Sequence, residues 1–431
     1  MNIKYTKRWM TKRVTWKNEA PENTVVVVGG GAAGLMAAGT AAQLGKQVVL
    51  VEKNSRMGRK LGITGKGRCN VTNDCTMQEV IEAVPTNPRF LYSALSRFSP
   101  QDVMAFFEEL GVPLKTERGR RVFPQSDRAA DIIDAMMRFL HANNVRIVHA
   151  TVKCLLFVES AVRGVQLSDG TELLAGQVIV ACGGMSYSGT GSTGDGYKLA
   201  RQAGHTIVPL RPSLVPLLSQ EKDCTEMQGL ALKNAAVRVY QGKKLVFEDF
   251  GELLFTHFGL SGPVVLSASS HMRNMAPGAY RLSIDIKPAL TPEKLDARLQ
   301  REFEENSNKD FGNVLPALLP RKMIPVMIAR SGISADTKCN HITREQRREF
   351  AALLKNFSVT IQGFRPIEEA IITSGGVNVK EIDPKTMQSK LITGLYFAGE
   401  VLDVDAYTGG FNLQIAFATG RLAALAAAGG E

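Results

Sequence analysis

The sequence predicts an α/β fold built on a parallel-sheet nucleotide-binding domain that a long insertion interrupts. Three observations predict it. The run Thr24-Val25-Val26-Val27-Val28 is β-branched throughout, as suits a strand buried on both faces of a parallel sheet. A glycine-rich turn and the Ala- and Leu-rich stretch Ala32 to Leu44 follow. Gln47 to Val51 then reads as a second strand ending at Glu52, which completes a βαβ unit of Rossmann-like character. The same style returns only from about Glu369, in Ile371-Ile372-Thr373-Ser374-Gly375-Gly376 and Gly394-Leu395-Tyr396-Phe397-Ala398-Gly399. Between the two parts, 207–265 mix short apolar runs with Pro and Gly, which predicts small β elements. Residues 291–355 show helical periodicity, with Pro292 placed to start one helix and Arg344 to Leu354 forming another.

Composition bounds the class. The 431 residues are 44% hydrophobic and 22% charged, values of a globular chain rather than a disordered or fibrous one. No stretch approaches the roughly 18 apolar residues of a spanning helix, so no membrane association is expected. The first 23 residues carry six Lys/Arg and two Glu without the apolar core of a secretory signal. They read as a basic flexible extension, or as a start assigned too far upstream. Six dispersed Cys without a CxxC pair suit free thiols in a cytoplasmic protein. Neither they nor the six scattered His have metal-ligand spacing, so no metal is expected. The net charge of +11 (52 Lys+Arg against 41 Asp+Glu) leaves a polyanionic partner open.

The first chemical motif is Gly29-Gly30-Gly31-Ala32-Ala33-Gly34, a G-x-G-x-x-G between strand and helix. Gly29 permits the turn, Gly31 lets backbone approach a pyrophosphate, and Gly34 allows close helix–strand packing. With Ala32 and Ala33 at the helix start, unpaired N–H groups and the helix dipole favour an anion. Glu52 ends the second strand, where it can accept the ribose hydroxyls, and Lys53 follows it. A 2′-phosphate would be repelled there, so the expected ligand is FAD or NAD rather than NADP. Two distant segments favour FAD. One is the strand Val178-Ile179-Val180-Ala181-Cys182 running into Gly183-Gly184; the other is Leu395 to Asp403, a strand followed by Gly399, Glu400 and Asp403. Gly410, Phe411, Asn412, Leu413 and Gln414 then open an Ala-rich helix whose N-terminus can face a flavin carbonyl. A capped buried terminal helix is the plainer alternative.

Taken together, GGGAAGLMAA, GRKLGITGKGRCNVTN (58–73), ACGGMSYSGTGSTGDGYKLARQAGH (181–205) and FAGEVLDVDAYTGGFNLQIAFATG (397–420) resemble the BaiN/RdsA (YhiN-like) group of FAD-dependent oxidoreductases. The resemblance implies an FAD-binding domain of the two-dinucleotide-binding flavoprotein type over 24–200 and 370–431. It implies a small β-barrel over 201–270 and 350–369, and a helical insert over 271–349. It also implies an enzyme that reduces a C=C bond by hydride transfer from reduced flavin. Some members are associated with enoyl reduction of bile acids and others with dihydrouridine formation in large-subunit rRNA. The resemblance places the cationic loop from Arg56 to Asn73 beside the flavin ring. Arg59, Lys60 and Arg68 are then expected at the cofactor, and Cys69 and Asn70 near both cofactor and reacting carbon.

A proton must accompany the hydride, and Cys69 is a candidate acid. The alternative is a small thiol buried in a crowded turn. His257 can polarise a carbonyl or serve as a hydrogen-bonded structural residue. Gly189 to Gly194 repeats the G-x-G-x-x-G spacing without a preceding strand, which fits the border of the flavin site rather than a second dinucleotide domain. Electrons would then come from transiently docked NAD(P)H or another donor. Two basic clusters remain. One holds Arg118, Arg120 and Arg121; the other, 321–348, has a net charge of +5 and contains Arg321, Lys322, Arg344, Arg347 and Arg348. These are candidate rRNA contacts or solvated helix faces. The competing readings are an rRNA uridine reductase, a reductase or oxidase of a small unsaturated metabolite, and a flavin-bearing RNA-binding or ribosome-assembly factor without turnover. No DNA partner is expected, and the sequence leaves the oligomeric state open.

Overall fold

The computed structural model describes residues 21–430, so the expected basic extension falls almost wholly outside the described residues. Five parallel strands form the central sheet: β1 (Thr24–Val28), β2 (Gln47–Glu52), β3 (Arg146–His149), β4 (Gln177–Val180) and β5 (Leu395–Phe397), in the order β5-β4-β1-β2-β3. Val25, Val26 and Val27 at its centre have no solvent exposure, which is why the strand reads as an unbroken apolar run. Helix α1 (Ala32–Gln43) joins β1 to β2, and α2 (Phe411–Ala427) closes the chain against it.

Small residues set how closely these pieces approach. A Cβ on Gly34 would lie 1.8 Å from the Gly29 carbonyl oxygen, and one on Gly420 would lie 2.3 Å from that of Ala33. Backbone therefore packs directly on backbone at the start of α1. Gly31 is the opposite case, with no atom within 4 Å of its Cβ position.

The chain leaves this domain along Ile207–Ser213 and returns along Ile372–Val377, and the two segments pair antiparallel. Between them lies a closed barrel, in the order Leu217–Ser219, Gly259–Ser261, Lys244–Thr256, Ala231–Gln241, Tyr280–Asp285, Phe357–Phe364. Helices Pro292–Glu305, Ile324–Ser331 and Arg344–Lys355 are inserted between the last two strands. Two details differ from the sequence expectation. Tyr280–Asp285 is a barrel strand inside the span expected to be helical, its Tyr280, Leu282 and Ile284 turned into the core. The helix starting at Arg344 runs to Lys355, past the expected edge of the insert, because Leu354 is buried in the same core. Leu295, Phe303 and Phe350 of the helices share that core with Val237, Phe255 and Val359 of the barrel, so barrel and helices form one packed unit.

A separate hairpin, Leu114–Glu117 with Arg121–Pro124, receives the short strand Thr72–Asn73 on its second arm. It brings the first basic cluster up to the cationic loop.

The packing yields a paired expectation. Gly34→Ala forces a methyl into a backbone oxygen and should lower unfolding stability by about 3 kcal/mol, whereas Gly31→Ala should change it by less than about 0.5 kcal/mol. Urea unfolding of both variants measures the difference.

Candidate functional site

A cleft of about 1360 Å³, solvent mouth included, opens at the carboxyl ends of β1, β2 and β4. This is where an open parallel sheet binds ligands. Its floor is the turn into α1. Gly31 caps that helix without any side-chain hydrogen bond, so the first N–H groups of α1 face a cleft that Gly29, Gly31, Ala32 and Ala33 line.

Glu52 is buried at the rim and held by three N–H donors. Its Oε2 accepts from the Gly30 N–H at 2.6 Å, and its Oε1 accepts from the Asn54 N–H at 2.8 Å and from Asn54 Nδ2 at 2.5 Å. A carboxylate has about four acceptor positions, so capacity remains for a ligand hydroxyl. Arg59 lines the same wall and donates to Asn54 Oδ1 at 2.9 Å. Lys53 reaches across to Asp195 at 2.6 Å, beside the second glycine-rich loop, whose Thr190, Gly191 and Ser192 form the facing wall. Burial alone would raise the Asp195 carboxyl. Bonds from Lys198, Lys53 and Thr193 outweigh it and hold the group at about 2.

Glu400 joins the other walls. Its Oε2 accepts from Lys60 Nζ at 2.5 Å, and its Oε1 accepts from the Ser186 hydroxyl at 2.9 Å and the Thr373 N–H at 2.9 Å. Gly183, Gly399, Asn412 and Leu413 complete the lining among the expected residues.

Other expected residues stand behind the wall. Gly34 packs on Gly29, Gly184 lies against Thr373 and Glu400, and Gly410 sits on the Thr72 backbone, where a Cβ would meet the carbonyl oxygen at 2.3 Å. Gln414 is fully buried; it accepts from the Thr72 hydroxyl and donates to the Phe98 carbonyl. Phe411 is half-buried with its ring over Gly409. Asp403 accepts from Asn87 Nδ2, and burial raises its carboxyl.

Three expectations about the cationic loop and the catalytic candidates meet a different geometry. Arg68 turns away from the cleft, ion-pairs with Glu117 at 2.9 Å and Asp127 at 3.0 Å, and stacks on Phe123. Cys69 is fully buried at φ +62°, outside the cleft wall, and burial pushes its thiol up to about 12. His257 is exposed in the turn between two barrel strands, its ring against Phe258. Asn70 is not in the cleft lining either, and its buried Oδ1 has no partner.

The basic clusters are partly neutralised. Arg120 pairs with Glu79 at 2.7 Å, and Arg347 grips Asp296 through two bonds. Lys322 donates to the Gln228 carbonyl, and Arg121 lies 3.9 Å from Glu117. Among the described residues, Arg118, Arg321, Arg344 and Arg348 make no ion pair. Among the described residues no group of three or more His, Cys, Asp or Glu is placed to hold a metal.

The sequence reading missed Asn54, Asn73 and the pair His271–Tyr407. Asn54 follows Glu52 by two residues, near enough for its N–H and its amide to reach the Glu52 carboxylate. His271 and Tyr407 are 136 residues apart and gave no signal.

An uncapped helix N-terminus, a glycine with open space above it and a buried acid at the second strand's end fit an adenine dinucleotide, and the fold is that of a Rossmann-type flavoprotein. Comparison with known proteins agrees. Residues 23–426 match the HI0933-like protein Rossmann domain, and the chain belongs to this family of FAD-dependent oxidoreductases. The 3-dehydro-bile acid delta(4,6)-reductase of Clostridium scindens is 32% identical, over 94% of this chain and 99% of that protein. The ribosomal RNA dihydrouridine synthase of Haemophilus influenzae is 30% identical over 93% and 97%, and that of Escherichia coli 30% over 91% and 95%.

The bonds that Lys198, Lys53 and Thr193 make to Asp195 give a pH dependence. A carboxyl depressed below its unfolded value contributes stability that is full above pH about 4 and is lost as pH falls through about 2. Asp195→Asn should therefore flatten the stability-against-pH curve across that window by on the order of 1–2 kcal/mol, read from urea unfolding at stepped pH.

Proposed function

We propose that this enzyme reduces the C5=C6 bond of a uridine in large-subunit rRNA to give dihydrouridine, in the cytoplasm, with NAD(P)H as a transient electron donor. FAD supplies the hydride when bound. The chain's own residues do the rest. The N–H groups of Gly31, Ala32 and Ala33 and the cation of Arg59 would hold the pyrophosphate, and the free acceptor capacity of Glu52 would take a ribose hydroxyl. Lys60 and Glu400 hold the walls together, and the N–H groups at Asn412 and Leu413 would serve the pyrimidine end of the flavin. Asn70, whose buried Oδ1 lacks a donor, fits an N–H of the flavin or of a uracil ring.

One observation carries the RNA reading. The Asn73 side chain donates at 3.0 Å to the Gly119 carbonyl and at 3.0 Å to that of Gly409. It thereby ties the Arg118–Arg121 tip of the basic hairpin to the turn that opens α2, three residues from cleft-lining Asn412. Cations placed there can hold the phosphates around a nucleotide unstacked into the cleft. A small-metabolite substrate is the second reading, favoured by the similarity to the bile acid reductase over nearly the whole chain.

Deletion of the gene should remove a dihydrouridine from large-subunit rRNA, seen by nucleoside chromatography and mass mapping; an unchanged profile rejects the RNA reading. In vitro, the double variant Arg118→Glu/Arg121→Glu should weaken binding of an rRNA transcript, lower the log–log salt slope by roughly 1–2, and leave the flavin spectrum intact.

A further inference from the structure

Hydride addition to a C=C bond leaves an electron pair on the neighbouring carbon, and some group must protonate it. Cys69 is sealed away from the cleft. A hydroxyl that is only half-buried stands in the segment between β5 and α2, behind the cleft wall. Val404 and Asn412 both line the cleft, and Tyr407 lies between them in the sequence, in the turn that joins these two wall residues. The Asn412 side chain clamps this turn, with Oδ1 accepting from the Ala406 N–H at 2.9 Å and Nδ2 donating to the Ala406 carbonyl at 2.8 Å and the Tyr407 carbonyl at 3.3 Å. The Tyr407 N–H is fixed on the Ala83 carbonyl at 2.9 Å. The tyrosine is thus held at a defined place by a residue of the cleft wall.

Its hydroxyl meets His271 Nε2 at 2.6 Å. His271 follows helix Pro263–Ser269 of the barrel unit, so this bond spans the two units of the molecule, with Phe247 5.0 Å from the imidazole. Both rings are half-buried, within reach of solvent protons. Asp405 lies beside them with no solvent exposure. Its Oδ2 accepts from the Ser213 hydroxyl at 2.8 Å, and its Oδ1 has no partner. Two half-buried polar side chains and the orphaned oxygen of a buried carboxylate stand together where the barrel closes on the FAD-binding unit.

We propose that Tyr407 delivers the proton to the reduced substrate and that His271 positions and recharges it. The inference rests on the C=C reductase reading above. The C=C bond gains a hydride, two electrons drawn from the reduced flavin, at one carbon. Its π pair forms a C–H bond at the other carbon as the Tyr407 O–H bond breaks. The phenolate takes the Nε2 proton of His271 in step with a solvent proton arriving at Nδ1, so the imidazole stays neutral throughout; the two electrons would come, through the flavin, from a nicotinamide dinucleotide. The assignment requires the Nε2–H tautomer of His271, in which the imidazole donates to the Tyr407 oxygen and leaves the hydroxyl proton free for the substrate. Burial, with Asp249 and Asp405 nearby, keeps the phenol protonated; burial and Arg273 hold the imidazole neutral although Asp405 opposes them.

The test uses photoreduced, anaerobic holoenzyme and two probes, an unmodified large-subunit rRNA transcript and a 3-dehydro-4,6-diene bile acid. With whichever probe the wild type reduces, Tyr407→Phe should reoxidise its flavin roughly 100- to 10,000-fold more slowly, at unchanged FAD content and unchanged probe affinity for the oxidised enzyme. Residual product formed in deuterated water should lose the single-face deuterium placement of the wild type, a signature that a structural hydroxyl would not move. His271→Ala should slow reoxidation less and displace its pH profile, and His271→Gln, which retains a donor, should recover part of the rate. A Tyr407→Phe rate equal to wild type on a working probe overturns this assignment and spares the proposed function. A wild type active only on the bile acid rejects the RNA reading and still decides Tyr407; a wild type inert to both rejects the reductase reading and the assignment together.

Discussion

Backbone resting on backbone at the start of α1 is the constraint on which the rest depends. Gly34 lets the helix lie against the Gly29 carbonyl, and Gly420 lets α2 lie against that of Ala33. Had either position carried a side chain, α1 would stand off the sheet and its N–H groups would no longer converge where Glu52 ends β2. The close approach sets the direction in which the helix dipole points, and an uncapped N-terminus sealed against its neighbours can only be satisfied by water or a ligand. The cost of leaving the cap empty is therefore tied to binding.

Glu400 extends that constraint across the molecule. Its carboxylate collects Lys60 from the cationic loop, Ser186 from the segment after β4 and the Thr373 N–H from the strand returning out of the barrel. Three segments far apart in sequence meet on one side chain that is only 13% exposed, where ion pairs are weakly screened. Removing the acid would leave Lys60 unpaired and free three walls at once. The charge expected to be spent on phosphates is thus used in part to assemble the cleft. Arg68 is spent in the same way, on Glu117 and Asp127.

Local pattern made the parallel-sheet core legible. Strand β1 is β-branched because both its faces are buried, and α1 is rich in Ala and Gly because both its neighbours touch its backbone. The motif around Gly29 to Glu52 carries its chemistry within a single βαβ unit, so sequence proximity and spatial proximity coincide. Tyr280–Asp285 was hidden because its alternation is short and sits between a loop and an amphipathic helix. The direction of Arg68 was hidden because its acids belong to a hairpin some 50 residues on. The same applies to His271 and Tyr407, whose relation exists only once the barrel closes on the sheet.

That closure explains why charge alone reads poorly as a binding surface. Of the net charge of +11, much of the positive side is matched in space by acids that sequence windows do not pair with it. Arg347 looks like one of three free cations on a helix start, yet Asp296 of the neighbouring helix takes both its donors. Arg120 stands in a basic hairpin tip and is held by Glu79. An exposed pair of this kind is worth little in stability, so a competing phosphate can replace the carboxylate at small cost. Arg118 needs no such exchange. On the proposed RNA reading, the hairpin tip would offer a graded surface, with one cation free at first contact and another released from its acid only when an anion comes close. Asn73 fixes that tip to the Gly409 carbonyl, so whatever binds there is registered against the cleft by a hydrogen bond rather than by charge.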